Sequence, residues 1–300
     1  MAADRTTSAV APETTRAAIS SDARRARRSR RYRLTGSYTV LTVSAIVVVL
    51  PLYITVVNSL LKEDQIAHQP PPLFPFHPQW HNYSIAWTQG NLGFYIRNSL
   101  IMTVCIVIAQ LVTSILAGYA FAFLRFPFRR TLFLVCLATL MIPFEVTFIT
   151  NLTTVTSAGL FNTYAGLAVP FLATGFGIFL LRQAFLQIPK DLQEAALLDG
   201  YGHWRFMARV AVPLARPSVA ALGVFAFLAA WNQYLWPLVA TGGTTPLDTV
   251  QIGLKQLYGT QADQINVALA GAIIAFVPLL ILLLIFQKQL VRSLTAGAVK

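Results

Sequence analysis

Three groups of residues in this sequence have types and spacings that suit chemistry. The first is a single carboxylate, Glu145, the only acid inside a long apolar run. An ionised side chain at membrane depth costs about 2.5–3.5 kcal/mol on insertion scales, so it pairs with another group or faces water. The second is the cluster Trp231, Asn232, Gln233 and Tyr234, with Trp236 just beyond it. Amide and hydroxyl groups can hydrogen-bond a hydrated solute, and indole rings can stack on it. On straight helices rising 1.5 Å per residue, Glu145 lies roughly 21 Å and Asn232 roughly 22 Å above the inner end of its own run. Glu145, Asn232, Gln233 and Tyr234 are therefore expected to share one level and to line a translocation path, with Trp231 and Trp236 as stacking or gate surfaces. A hydrogen bond between helices is the plain alternative for Glu145, and an interfacial aromatic belt is the alternative for the tryptophans and tyrosines. The third group lies in a polar loop over 187–216, QIPKDLQEAALLDGYGHWRFMARVAVPLAR.

No constellation for catalysis accompanies these groups. The apolar runs hold no histidine, and no nucleophile–base pair or paired carboxylate lies at membrane depth. His77 and His81 have i, i+4 spacing, but Pro75 and Pro78 oppose the helix that a metal site would need. No G-x-x-x-x-G-K-[ST] loop is present to cradle phosphates.

The elements that must position these residues are apolar. Of 300 residues, 56% are hydrophobic and 11% are Asp, Glu, Lys or Arg. Ordinary soluble domains carry about 25% charged residues, so a polytopic membrane protein is expected. Six runs are long enough to span a bilayer of about 20 helical residues: about 38–57, 99–124, 131–150, 164–185, 217–240 and 267–286. Pro51, Pro143, Pro170 and Pro278 fall inside them, which embedded helices tolerate. Lys and Arg alternate between the connecting segments, 20 on one side and 3 on the other. Both termini are therefore expected in the cytoplasm. The net charge of +12 is blocked and not spread over a soluble face, which disfavours nucleic-acid binding. Seven arginines fall within residues 24–33, a juxtamembrane cluster suited to an anionic leaflet. Residues 1–35 are poor in large apolar side chains and read as a disordered basic arm. Residues 36–300 form the transmembrane domain. The outer loop QPPPLFPFHP is expected to be extended.

In the loop over 187–216, Pro189 can open a helix in which Leu192, Ala195, Ala196 and Leu198 recur with helical spacing. Gly200 permits a turn, and a second helix over 203–212 should end before Pro213. One reading is an interfacial hairpin that only links two spans. The other is a rigid knob that docks into a cytoplasmic partner, with Ala195 and Ala196 allowing close approach and Glu194 reaching a cation.

The stretch EAALLDGYGHWRFMARVAVPL resembles the EAA loop of the permease subunits of ATP-binding-cassette importers. Glu194, Ala195, Ala196, Gly200, Val210, Val212 and Pro213 occupy the pattern's places. Valine stands at 210 and 212, where Ile and Leu are common. The tail LTAGAVK, 294–300, resembles the C-terminus of the maltose-type carbohydrate permeases. TLMIPFEV (139–146), NTYAGLAVP (162–170) and WNQYLWPL (231–238) resemble the second permease subunit of glycerol-3-phosphate and glycerophosphodiester importers.

The resemblance implies an all-α fold with six transmembrane helices, of the type I importer permease kind, in the bacterial inner membrane. It implies a non-catalytic chain with no cofactor of its own, ATP and magnesium being bound by a partner ATPase. Its partners would be a second homologous permease subunit, an ATPase dimer, an extracytoplasmic substrate-binding protein and membrane lipid. Glu194, Ala195, Ala196, Asp199, Gly200 and Pro213 would couple to the ATPase. A sugar or amino sugar is the alternative substrate. A stand-alone secondary transporter is a distant alternative, since no inverted repeat or set of intramembrane charges is seen.

Overall fold

The computed structural model describes the backbone of residues 13–68, 70–243, 246–260 and 264–295, and side chains within 35–259 and 264–289 of those segments. The chain divides into two units, residues 1–57 and 58–300. All regular elements among the described residues are helical.

The first unit is dominated by α1 (Glu13–Ser59). Its apolar part, Thr35–Ser59, is long enough to cross a bilayer. Valines and leucines along it stand exposed, Val48 and Leu41 among them, as a lipid-facing helix requires. The helix continues through Pro51. From Glu13 the backbone of the arm is helical, and Ala and Arg both favour helix. Residues 1–12 and the arginine side chains of 24–33 lie outside the described residues.

The second unit begins with two short surface helices, α2 (Glu63–Ala67) and α3 (His81–Thr88), separated by the irregular proline-rich segment. His77 lies in that segment and His81 opens α3, so the two do not share a helix. A long helix, α4 (Leu92–Phe123), is long and apolar enough to cross a membrane and starts seven residues before the apolar run expected at 99–124. Then come α5 (Arg129–Ala138), α6 (Phe144–Ser157), α7 (Tyr164–Ala168) and α8 (Gly175–Leu186). The polar hairpin holds α9 (Lys190–Leu198), α10 (His203–Phe206) and α11 (Val212–Leu214). The chain ends with α12 (Arg216–Trp231), α13 (Leu235–Thr241), α14 (Val250–Thr260) and α15 (Ile265–Thr295).

Three helices are each long and apolar enough to span a membrane: Thr35–Ser59, Leu92–Phe123 and Ile265–Gln289. The runs expected at 131–150, 164–185 and 217–240 are not single helices. The first two are bent pairs, Arg129–Met141 with Phe144–Ser157 at 99° and Tyr164–Phe171 with Gly175–Leu186 at 52°. The third ends as a helix at Trp231 and restarts at Leu235. Pro143 caps α6 and Pro170 sits in a single 3₁₀ turn, so these two prolines interrupt their runs. Each lacks the N–H that a continuous helix would use. Pro278, by contrast, stays inside α15.

Helix α4 is the axis of the unit. Along α8 its contact is made by small residues. A Cβ at Gly118 would lie 3.1 Å from the backbone nitrogen of Arg182, and one at Gly177 would run into Ser114 Oγ. Without water between helices, this close approach supplies much of the adhesion.

Candidate translocation and coupling sites

The interruptions leave backbone groups that lipid cannot satisfy, and side chains of neighbouring helices satisfy them. Gln110 on α4 donates to the carbonyl of Phe171 at 2.9 Å, and Thr113 to that of Leu172 at 3.0 Å. Within its own run, Thr139 donates to Cys136 O at 2.7 Å. Gln251 on α14 reaches Trp231 O and Asn232 Oδ1, both at 3.4 Å.

Three interrupted runs meet around one indole. Trp236, near the start of α13, packs edge to face against Phe144 and Phe148 of α6, each 5.9 Å between ring centres, and against Phe171 at 6.2 Å. Its Nε1–H donates to Leu167 O at 3.2 Å. Edge-to-face geometry places positive ring edges on negative faces, so the cluster is held by more than contact area.

The expected path residues divide on this frame. Glu145 follows Phe144 in the first turn of α6, and its carboxylate is exposed. A negative charge is favoured there by the helix dipole. It has no hydrogen bond or ion pair among the described residues. The height counted along a straight helix does not apply, because the run turns by 99° just before Glu145. Its proximity to the start of α13 comes instead from the Phe144–Trp236 contact. Asn232 is exposed and bonds Leu228 O at 2.8 Å, ending α12. Gln233 and Tyr234 are half-buried, and Gln233 Oε1 is buried without a hydrogen-bond partner.

Trp231 and Trp236, expected as stacking or gate surfaces, are both buried inside the protein. They are 1% and 2% exposed. Trp231 stacks on Phe227 at 5.6 Å and packs with Val250, Ala275 and Leu279. A helical run apolar all round does not reveal which face a tryptophan takes.

The polar hairpin forms as its spacing predicts, with one difference. Helix α9 ends in a Schellman turn: Tyr201 N–H donates to Ala196 O at 2.8 Å, and Gly200 N–H to Leu197 O at 3.0 Å. Gly200 sits at φ +75°, a left-handed conformation that glycine adopts without penalty. The second helix does not stop before Pro213. It widens into a π turn over Met207–Ala211, with Val212 N–H bonding Met207 O, and runs through Pro213 to Leu214. The wider turn makes room for a ring that would clash with the carbonyl four residues back.

Ala196 is buried with Phe206, Met207 and Ala211 against Tyr119, Phe185 and Leu222 of the spans. Tyr119 OH and His203 Nδ1 are 3.1 Å apart. Glu194, Ala195, Asp199 and Gly200 are exposed. Leu198 is 90% exposed and Trp204 73%, one on each side of the turn. The hairpin is thus rigidly mounted and presents an apolar tip.

Residues 110–296 match the binding-protein-dependent transport system inner membrane component family. The chain belongs to this family. Relatives include the sn-glycerol-3-phosphate transport system permease proteins UgpE of Yersinia pestis and of Agrobacterium fabrum. The first is 32% identical over 263 residues, covering 85% of this chain and 93% of the relative. The second is 34% identical over 267 residues, covering 86% and 94%. Among solved structures, a bacterial ABC transporter involved in import of the acidic polysaccharide alginate has a chain of the same fold. Its TM-score is 0.74 at 21% identity, covering 87% of this chain and 97% of that one. The protein is therefore a permease subunit of an ATP-binding-cassette importer.

One part of the permease was not visible as a motif. Asp248, 1% exposed, accepts from Thr241 at 2.9 Å and from Gln256 at 3.3 Å. Asn98, buried in α4, donates to the carbonyls of Pro246 and Asp248 and accepts from Tyr164 OH at 2.8 Å. Ser99 Oγ accepts from Val250 N–H. These bonds fasten the loop between α13 and α14 onto α4, and α4 onto α7. The partners lie up to 151 residues apart, so no local pattern announces them. Replacing Asn98 with Leu leaves buried carbonyls unpaired, at about 1–3 kcal/mol each. The expected result is a melting temperature lowered by several degrees and earlier proteolysis between 241 and 250. An unchanged cleavage pattern would show that the loop is held otherwise.

Proposed function

We propose that the permease moves glycerol-3-phosphate or a glycerophosphodiester inward by alternating access, driven by a separate ATPase through the hairpin 187–216. Six membrane crossings follow from the six apolar runs, cytoplasmic termini from the 20-to-3 division of Lys and Arg, and a bacterial inner membrane from the family. The partners are a second permease subunit, an ATPase dimer and an extracytoplasmic binding protein. The chain itself performs no catalysis and binds no cofactor.

The observation that carries the coupling role is the apolar tip of Leu198 and Trp204 on a buried mount. An exposed leucine and tryptophan on a polar hairpin fit a desolvated protein contact. Glu194, Ala195, Asp199 and Gly200 form the rest of the contacting surface, and Pro213 lies in the last turn before the chain bends by 79° into α12. The conformational change on ATP binding is transmitted along this bend. The tail 294–300 is assigned to the ATPase interface by family likeness; residues 296–300 lie outside those described.

The substrate reading rests on the names of the relatives. The path is assigned to Glu145, Asn232, Gln233 and Tyr234, which stand where two apolar runs are interrupted. Trp231 and Trp236 hold the walls from behind. A sugar or amino sugar is the second reading, favoured by the neutral amides and hydroxyl of residues 232–234.

Uptake of labelled glycerol-3-phosphate by the assembled complex in proteoliposomes, with glycerophosphocholine, maltose and N-acetylglucosamine as competitors, tests the substrate. Competition by the sugars alone would favour the second reading. In the same assay, Glu145→Gln is expected to cut uptake by about tenfold, the effect of one charged hydrogen-bonding group. Subunit stoichiometry should not change. Full uptake by this variant removes Glu145 from the path.

A further inference from the structure

Away from the path and the hairpin, Arg129, Arg130 and Arg182 line one cavity of about 350 Å³ together with Phe133 and Leu134. No Asp or Glu occurs in residues 125–140 or 176–187, and none of the three arginines has a carboxylate partner among the described residues. Two of the cations stand in the first turn of α5, the end of a helix where the dipole opposes positive charge.

The guanidinium groups are held in place. Arg129 Nη1 donates to Leu124 O at 2.9 Å, and Arg182 Nε to Phe121 O at 3.3 Å. The Arg182 guanidinium lies 4.1 Å over the Phe133 ring. Each guanidinium has five donors, so most remain available. Three guanidiniums without a carboxylate around one cavity, two of them oriented, match the oxygens of a phosphate group.

We propose that this cavity is a phosphate-binding site, separate from the translocation path. The surroundings favour the headgroup of an anionic phospholipid. Phe128, 77% exposed, adjoins the arginines, and Leu132 and Val135 stand exposed along α5. An apolar helix face running away from the cations suits acyl chains below a headgroup. The same donors would also take a soluble phosphate ester, and the test separates the two.

The assembled importer is delipidated and returned to nanodiscs of phosphatidylcholine with or without phosphatidylglycerol, and retained lipid is counted by native mass spectrometry. Arg130→Gln serves as the mild variant, since this side chain is exposed and holds no backbone. Arg129→Gln/Arg182→Gln is the stronger one. Phosphatidylglycerol is expected to stay bound to the wild type and to fall about tenfold in Arg130→Gln. Phosphatidylcholine is not retained. In a second arm, 10 mM-scale inorganic phosphate (on the order of the weak affinity of a single anion) is titrated in. Displacement of lipid by phosphate, or phosphate binding without lipid, supports a soluble ligand at the same site. Equal retention of both lipids with no effect of phosphate overturns the proposal. So does subunit dissociation in Arg130→Gln with lipid retention unchanged, because the arginines then answer carboxylates of a partner. Neither result depends on which solute is transported.

Discussion

Replacing Leu198 with Asp is expected to abolish ATP-driven uptake and to lower ATPase retention on the purified permease by more than tenfold. The melting temperature of the permease alone should stay where it is. Leu198 is 90% exposed and takes no part in the cores of the protein, so folding loses little. Surface changes of this kind are usually within about 0.5 kcal/mol. At a desolvated interface the same change places a charge where an apolar anchor sat, and such anchors contribute about 2 kcal/mol or more. Melting curves and co-purification, read on one preparation, separate the two effects. Normal uptake by this variant would return the hairpin to a mere linker. Gly200→Val is the contrasting case. It forces a β-branched residue to φ +75° and should distort the hairpin itself.

Trp236→Ala should have the largest effect on stability. The ring is 2% exposed, contacts Phe144, Phe148 and Phe171, and donates to Leu167 O. Truncating a buried tryptophan costs about 3–5 kcal/mol in soluble cores. Here it also unties three interrupted helices at once. The expected result is little assembled complex and rapid proteolysis within residues 142–174. Trp236→Phe keeps most of the ring contacts but loses the N–H. It should assemble, melt lower by an amount matching about 1 kcal/mol, and still transport. Transport lost in Trp236→Phe with unchanged melting would place the indole in the path after all.

The hairpin shows how far local signals reach. Helix α9, the glycine turn and the second helix were all legible, because capping, left-handed φ and helical spacing act over a few residues. The continuation through Pro213 was not, since a π turn has no sequence signature and depends on how the hairpin packs against Tyr119 and Leu222. The apolar runs gave the membrane class and the number of candidate crossings. They did not show that the runs beginning at 131, 164 and 217 are interrupted. Pro143 and Pro170 interrupt where Pro51 and Pro278 do not. At Pro170 the neighbouring Gln110 and Thr113 satisfy carbonyls freed by the break, which makes the interruption tolerable in an apolar setting.

By itself, then, the sequence determined the class and the helix–turn–helix of the polar hairpin, through hydropathy and a short motif, and its charge asymmetry supplied the proposed orientation. Tertiary structure alone decided which polar and aromatic residues are buried and which are exposed. Trp231 and Trp236 went inward, Glu145 outward, and Asn98 and Asp248 became a clasp across 150 residues. The physical reason is that apolar helices carry little information about their own orientation. Facing is set by close packing of small residues, by unpaired carbonyls that must find donors, and by aromatic edges that must find faces.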